Sequence, residues 1–285
     1  MRCAPSQLRA GASGDGRGSA ALTAPPRRIT SRDNGLFREL AELAHSARER
    51  RRQGRSVLEG IHLCEAWLQR HGAPRSAVAT EAGLAHPEVS VLLARHGVSP
   101  TVLAGELFDA VSTLQHGVGL VFVVDTPQPG LPASIDADAV YLDRVQDPGN
   151  VGTLLRSCAA AGVRTVLTAP GTAWCWSPKV LRAGMGAHFH LSIHEAVPWS
   201  TVRTRLGVAA IGTRAQHAES LYEADLFAPA LWLLGNEGEG LSEEVGADVA
   251  RWVRIPQAEG VESMNVAAAA AVCLFEQRRQ RAARG

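Results

Sequence analysis

The sequence predicts an α/β protein made of two consecutive modules. Three observations predict it. Short strand-like runs alternate with segments of helical periodicity over roughly 70 residues of the first half. A second run of the same kind follows Pro127, Pro129, Gly130 and Pro132, the most obvious linker in the chain. The length, 285 residues, suits one large domain or two ordinary ones. Strands that alternate with helices argue for a mostly parallel sheet covered on both faces.

Residues 1 to 28 are rich in Gly, Ala, Ser, Pro and Arg without periodicity and read as a disordered tail or a misassigned start. Leu36, Phe37, Leu40, Leu43 and Ala44 recur at helical spacing. An arginine cluster from Arg48 to Arg55 leads into a short strand and turn over 56–60. Ile61 to His71 reads as a helix ended by Gly72. Strands are expected at 76–80, 100–104 and 119–124, and helices at 87–96 and 105–114.

In the second run strands are expected at 139–142, 165–168, 190–193, 208–212, 230–234 and 252–255. Helices are expected at 150–161, 177–183 and 265–281. The organisation is therefore a tail at 1–28, a first domain at 29–126, a linker at 127–134 and a second domain at 135–285.

Composition excludes several classes. No apolar run reaches the ~18 residues that a membrane helix needs, and the N-terminus lacks a signal core, so neither a membrane nor secretion is expected. Cysteines stand at 3, 64, 158, 175 and 273. Their odd count and lack of C-x-x-C spacing argue against a disulfide framework or a zinc site, and for the cytoplasm. The net charge is only +1, but Arg27 to Arg55 holds nine arginines against Asp33, Glu39, Glu42 and Glu49, a local net of +5. That is a plausible nucleic-acid footprint, in which Arg51, Arg52 and Arg55 are candidate RNA contacts. Lys179 is the sole lysine. The arginine bias has two readings, genomic base composition and a fork suited to phosphate.

Three segments of the second half could carry chemistry. The first runs from Asp147 to Ser157, where a Pro148-Gly149 turn leads into a helix that Asn150 can cap, with Arg156 nearly two turns in. On its own it also reads as a plain strand, turn and helix. The second is Leu233-Leu234-Gly235-Asn236-Glu237-Gly238-Glu239-Gly240-Leu241-Ser242. Its G-x-x-G-x-G order differs from the G-x-G-x-x-G of dinucleotide folds, and its two glutamates would repel a pyrophosphate. A neutral or cationic ligand fits better; a tight turn without a ligand is the alternative. The third runs from Ile255-Pro256-Gln257 through Gly260 to Glu262-Ser263-Met264-Asn265-Val266, where Ser263 or Asn265 caps the last helix.

Together the three segments resemble the SpoU (TrmH-type) branch of the SPOUT methyltransferases, over about 139–281. The first half resembles the substrate-binding domain common in that family, which is similar to the ribosomal protein L30e fold. The resemblance implies a C-terminal trefoil-knotted SPOUT domain with a parallel sheet, preceded by a small L30e-like α/β domain. True knots are rare, so periodicity alone could not have reached one. It implies a homodimer that uses S-adenosylmethionine to methylate a ribose 2′-hydroxyl of RNA.

By resemblance Gly235, Ile255 and Met264 contact the cofactor through close-packed backbone. Arg156 sits at the acceptor hydroxyl, where an arginine that stays protonated suits an electrostatic role better than that of a base. Asn150 holds the arginine or the ribose, Glu237 orients the site beside the sulfonium, and Ser263 and Asn265 shape the cofactor loop and meet the target nucleotide. Ser177 to Gly184 resembles the family's K-x-x-R-A-S segment, with Gly184 in place of the serine. Lys179 and Arg182 are candidate phosphate contacts or a solvated helix face.

His188 and His190 read as structural rather than metal-binding, and this chemistry needs no metal. Trp174 and Trp176 read as packing rather than as base platforms. Ribosomal RNA is the expected substrate and transfer RNA the alternative. Two rival functions are an RNA-binding or ribosome-assembly protein without turnover, and a dinucleotide oxidoreductase, which has the wrong glycine order.

Overall fold

In a computed structural model of the chain, residues 27–114, 116–260 and 263–283 are described. Most of the expected tail, Cys3 and Glu262 lie outside them.

The first half holds β1 (Arg28–Ile29), α1 (Gly35–His45), α2 (Ala47–Gln53), β2 (Arg55–Glu59), α3 (Ile61–His71), β3 (Ser76–Ala79), α4 (Glu81–Ala85), α5 (Pro87–Arg95), β4 (Thr101–Leu103), α6 (Gly105–Asp109) and β5 (Leu120–Asp125). Its five strands form one sheet in the order β1-β4-β3-β5-β2. The sheet is mixed, because β5 runs antiparallel to both β2 and β3. α1 starts at Asn34, whose side chain accepts from the Leu36 N–H. It buries Phe37, Leu40, Leu43 and Ala44, the stripe that the spacing predicts. The arginine cluster forms α2, capped by Ser46 and ended by Gly54 in the left-handed region. The helix expected at 105–114 stops at Asp109.

The second half holds β6 (Ala139–Leu142), α7 (Pro148–Ala161), β7 (Thr165–Thr168), α8 (Pro178–Gly184), β8 (Ser192–His194), α9 (Trp199–Arg203), β9 (Ala209–Thr213), β10 (Glu219–Ser220), β11 (Ala230–Leu234), α10 (Glu243–Ala247), β12 (Arg251–Arg254) and α11 (Val266–Ala282). Its seven strands form a parallel sheet in the order β10-β12-β9-β11-β6-β7-β8. The strand expected at 190–193 starts later, because Ala187–His190 closes into a 3₁₀ turn.

Both faces of each sheet are covered. In β11, Ala230, Trp232 and Leu234 face one core while Leu231 and Leu233 face another. β5 divides in the same way between Phe122 and Val123. This is why these strands read as unbroken apolar runs. One core is shared by the two sheets. It joins Leu58, Trp67 and Phe122 of the first half to Val140, Trp176, Phe189 and Trp232 of the second half. Trp67 meets Phe189 edge-on with ring centroids 5.4 Å apart. α11 is tied to the sheet by Gln277, which accepts from the Trp232 indole at 2.8 Å.

α7 and α8 pack closely, and glycine allows it. A Cβ on Gly152 would overlap the Ala183 side chain and stand 2.6 Å from the Val180 carbonyl oxygen. A Cβ on Gly184 would stand 2.5 Å from His188 Cε1. The missing serine therefore has a steric reason: the buried His188 ring takes its space. His188 Nε2 bonds to the Cys175 carbonyl at 2.8 Å, and His190 is exposed.

Among the described residues no helix is long and apolar enough to cross a membrane.

Burial pushes His188 down to about 4 from 6.5, against the pull of the Cys175 carbonyl. A histidine kept neutral by the fold stabilises it fully above pH 6.5, and protonation of the unfolded chain removes that stability as pH falls toward 4. The loss should approach about 3 kcal/mol at pH 4, at 1.36 kcal/mol per pKa unit. Urea unfolding of wild type and His188→Gln across this range should show a steeper fall for wild type. Gly184→Ser should cost about 1–3 kcal/mol in the same assay.

Candidate active site

Asp147, not Asn150, caps α7. Its side chain accepts the Asn150 N–H at 2.8 Å, and Pro148 occupies the first helical position. Asn150 is thereby the third helical residue, and its side chain is released for other partners.

Those partners are the other two segments. Asn150 Nδ2 donates to Glu237 Oε1 at 3.0 Å. Asn265 Nδ2 donates to Asn150 Oδ1 at 2.9 Å. Asn265 also caps α11, its Oδ1 accepting from the N–H groups of Ala267 and Ala268. Asn265, Asn150 and Glu237 thus form a chain of side-chain hydrogen bonds that closes all three segments on one another.

Glu237 takes two further bonds, from the N–H groups of Asp147 and Gln146, each at 3.2 Å. Partial burial works against its charge. The donors, Asn150 foremost, outweigh that and hold its carboxyl below the usual carboxylate range. Glu237 therefore stays anionic at neutral pH.

The Gly-rich loop after β11 is a tight hairpin. The Asn236 N–H donates to the Gly240 carbonyl at 2.9 Å, and the Gly240 N–H returns the bond at 3.0 Å. A Cβ on Gly235 would overlap the Gly240 backbone, and Gly240 has φ +71°. Asn236 fixes the turn, its Oδ1 accepting from Gly238 and Glu239 and its Nδ2 reaching the Arg144 carbonyl. Arg144 has φ +58° and pairs with Glu239 at 2.8 Å. The buried Asp143 accepts the Ser242 N–H at 2.6 Å.

The hairpin and the loop before α11 enclose a cavity of about 380 Å³ at the carboxyl ends of β9, β11 and β12. Gly235, Glu237, Ile255, Ser263, Met264 and Asn265 all line it. Leu241, Ile255, Met264 and Val266 supply apolar wall. Arg214, the one cation of the lining, lies over the Trp252 ring at 4.9 Å. The cavity can take a ligand with an aromatic base and a positive centre near Glu237, and it has no lysine for a polyphosphate.

Arg156 lies elsewhere, exposed on α7 and outside the lining, without a hydrogen bond or ion pair among the described residues. Lys179 is exposed at the start of α8. Arg182 donates to Thr113 Oγ1 at 2.9 Å, bridging the two halves. Arg52 pairs with Glu49 at 2.6 Å and Arg55 with Glu39. Arg51 has neither kind of partner among the described residues and lies over the half-buried Trp174. Trp176 is core.

Sequence reasoning missed Asp147, Asn236 and Asp143. The Asp-Pro dipeptide before a helical run was a signal for the first; nothing in the sequence marked the other two.

Asn150→Asp would set a second carboxylate against Glu237 and remove a donor. At pH 7 this should cost on the order of 1 kcal/mol, and the penalty should shrink as pH falls toward 4 and the pair takes up a proton. Urea unfolding of the variant and wild type at both pH values checks this.

The family model described as SpoU rRNA Methylase matches residues 138–275. An uncharacterized tRNA/rRNA methyltransferase of Synechocystis sp. is 33% identical over 91% of this chain and 96% of its own length. The 23S rRNA (guanosine-2′-O-)-methyltransferase RlmB of Bordetella pertussis is 31% identical over 79% of this chain and 97% of its own. The crystal structure of the SpoU methyltransferase AviRb from Streptomyces viridochromogenes, in complex with AdoMet, superposes with a TM-score of 0.75 at 26% identity. It covers 88% of this chain and 100% of AviRb. With its three segments hydrogen-bonded into one site and relatives matched over nearly their whole length, the chain belongs to the SpoU rRNA methylase family.

Proposed function

We propose that this chain methylates a ribose 2′-hydroxyl of RNA with S-adenosylmethionine as donor, and that ribosomal RNA is the substrate. The observation that carries the reading is the Asn265–Asn150–Glu237 chain beside a cavity without phosphate grip. The names of RlmB and AviRb's cofactor-bound structure support the choice of RNA and donor.

The residues present fit the donor. When bound, it supplies a methyl group on a sulfonium, activated for attack. Gly235, Ile255 and Met264 would hold its adenosine through backbone and apolar contact, and the anionic Glu237 favours the positive centre. Ser263 and Asn265 would shape the pocket toward the target nucleotide. The acceptor hydroxyl is a poor nucleophile and must lose its proton as it attacks. Arg156 would polarise that oxygen. Its exposure on α7 suits delivery to the site of a second copy, so we read the active form as a homodimer; the cysteine pattern favours the cytoplasm.

Residues 29–126 would act as the RNA-recruiting domain, 127–134 as linker and 135–285 as the catalytic domain. Lys179, Arg182, Arg51, Arg52 and Arg55 would meet RNA phosphates.

Calorimetry should show S-adenosylmethionine or its demethylated product binding while NAD does not; binding of NAD alone would overturn the reading. Arg156→Ala should abolish transfer of labelled methyl to ribosomal RNA with cofactor affinity nearly intact. A fully active variant would remove Arg156 from the mechanism.

A further inference from the structure

A second cavity lies apart from the one beside Glu237. It measures about 610 Å³ and lies where the two halves meet. Its walls come from α2 at Arg50 and Arg51, from the chain between Thr126 and Leu131, and from the loops after β7 and β8. Its size falls within the range of pockets that enclose a small organic group.

Its chemistry is aromatic and cationic. The guanidinium carbons of Arg50 and Arg51 lie 5.5 and 5.3 Å from the Trp174 ring centroid. Arg50 is buried and spends one nitrogen on the carbonyls of Leu43 and Ala44 at the end of α1. Arg51 is exposed and, among the described residues, makes no side-chain hydrogen bond or ion pair, unlike its neighbours Arg52 and Arg55. Glu195 is the one carboxylate of the lining. It is occupied by the Cys175 N–H at 2.7 Å and by the Trp174 side chain. His194, the other titratable group there, is buried, and burial holds it below its ordinary value, so at neutral pH it adds no charge. Two cations face one carboxylate, which the Arg51 charge also reaches, and Arg51 itself is exposed beside the Trp174 ring.

This cavity lies at the same carboxyl edge of the sheet as the one beside Glu237, with β6 between them. Thr172 Oγ1 donates to the Leu142 carbonyl at 3.0 Å, and the Ala173 N–H to the Val145 carbonyl at 2.9 Å. The loop that carries Trp174 is thus bonded to the segment that leads to Asp147 and Asn150. β7 and β8 follow β6 in the sheet, at about 5 Å per strand.

We infer that this cavity takes an unpaired nucleotide of the RNA substrate, flanking the one that is methylated, with its base stacked on the Arg51 guanidinium that Trp174 supports. Bases stack on arginine planes and aromatic rings in single-stranded RNA recognition, and the phosphate is drawn by the two guanidinium charges. The assignment rests on the RNA methyltransferase reading above and adds a second contact point to it.

The test uses the full chain and a fluorescein-labelled uridylate hexamer as probe. Arg51→Ala should weaken hexamer binding about tenfold, which is about 1.4 kcal/mol. Arg51→Lys, which keeps the charge and loses the plane, should also weaken it. Tryptophan fluorescence quenched by the hexamer should lose part of its amplitude in Trp174→Phe. S-adenosylmethionine affinity by calorimetry should be unchanged in all three variants, reporting an intact fold. Wild-type hexamer affinity in Arg51→Ala would overturn the inference, and wild-type affinity in Arg51→Lys would overturn stacking as its basis. A wild-type chain that binds no S-adenosylmethionine would sink the underlying reading instead.

Discussion

The site depends on one amide. Asn150 gives its NH₂ to a carboxylate and its oxygen to a second amide, and through these two bonds three segments distant in sequence become one wall. Few side chains can do this. A carboxylate offers only acceptors when ionised, and an ammonium or guanidinium only donors. The amide can serve both neighbours because Asp147 already satisfies the helix N-terminus. The cap and the bridge are therefore one device: Asp147 frees Asn150, and Pro148 sets the helix phase at which Asn150 points to the hairpin.

The helices behind that wall are held by close packing more than by polar bonds. Gly152 lets α8 approach α7 to backbone contact, and Gly184 makes room for the His188 ring beneath it. His188 in turn is locked to the carbonyl of Cys175, in the loop that carries Trp174 and Trp176. The packing of α8 against α7 and the position of the Trp174 loop are thus joined through the His188 ring.

The three functional segments were legible because their chemistry is local. Glycines at 235, 238 and 240 demand a tight turn, and Asn265 before an alanine run marks a helix start. The first segment was legible as a site and misread as a cap, because Asp147 and Asn150 are both good capping residues and only the Asp-Pro pair separates them. The mixed first sheet was not legible: an apolar run such as 120–125 states burial and not direction, and β5 was free to run against its neighbours. The role of His188 was equally hidden. The missing serine at 184 was visible, but the ring that fills its place comes from four residues on, through a 3₁₀ turn that no periodicity announces.

The two halves are joined by a continuous core in which Trp67 of α3 meets Phe189 of the 3₁₀ turn. That interface combines the aromatic contact with the Arg182–Thr113 hydrogen bond and holds a cavity of about 610 Å³. On the reading proposed above, an RNA that reached both cavities would span the joined halves, so it would have to present its loop at the spacing that the Trp67–Phe189 contact and the Arg182–Thr113 bond set between them. Selectivity among RNAs would then follow from their stiffness and shape as well as from any base that a side chain touches.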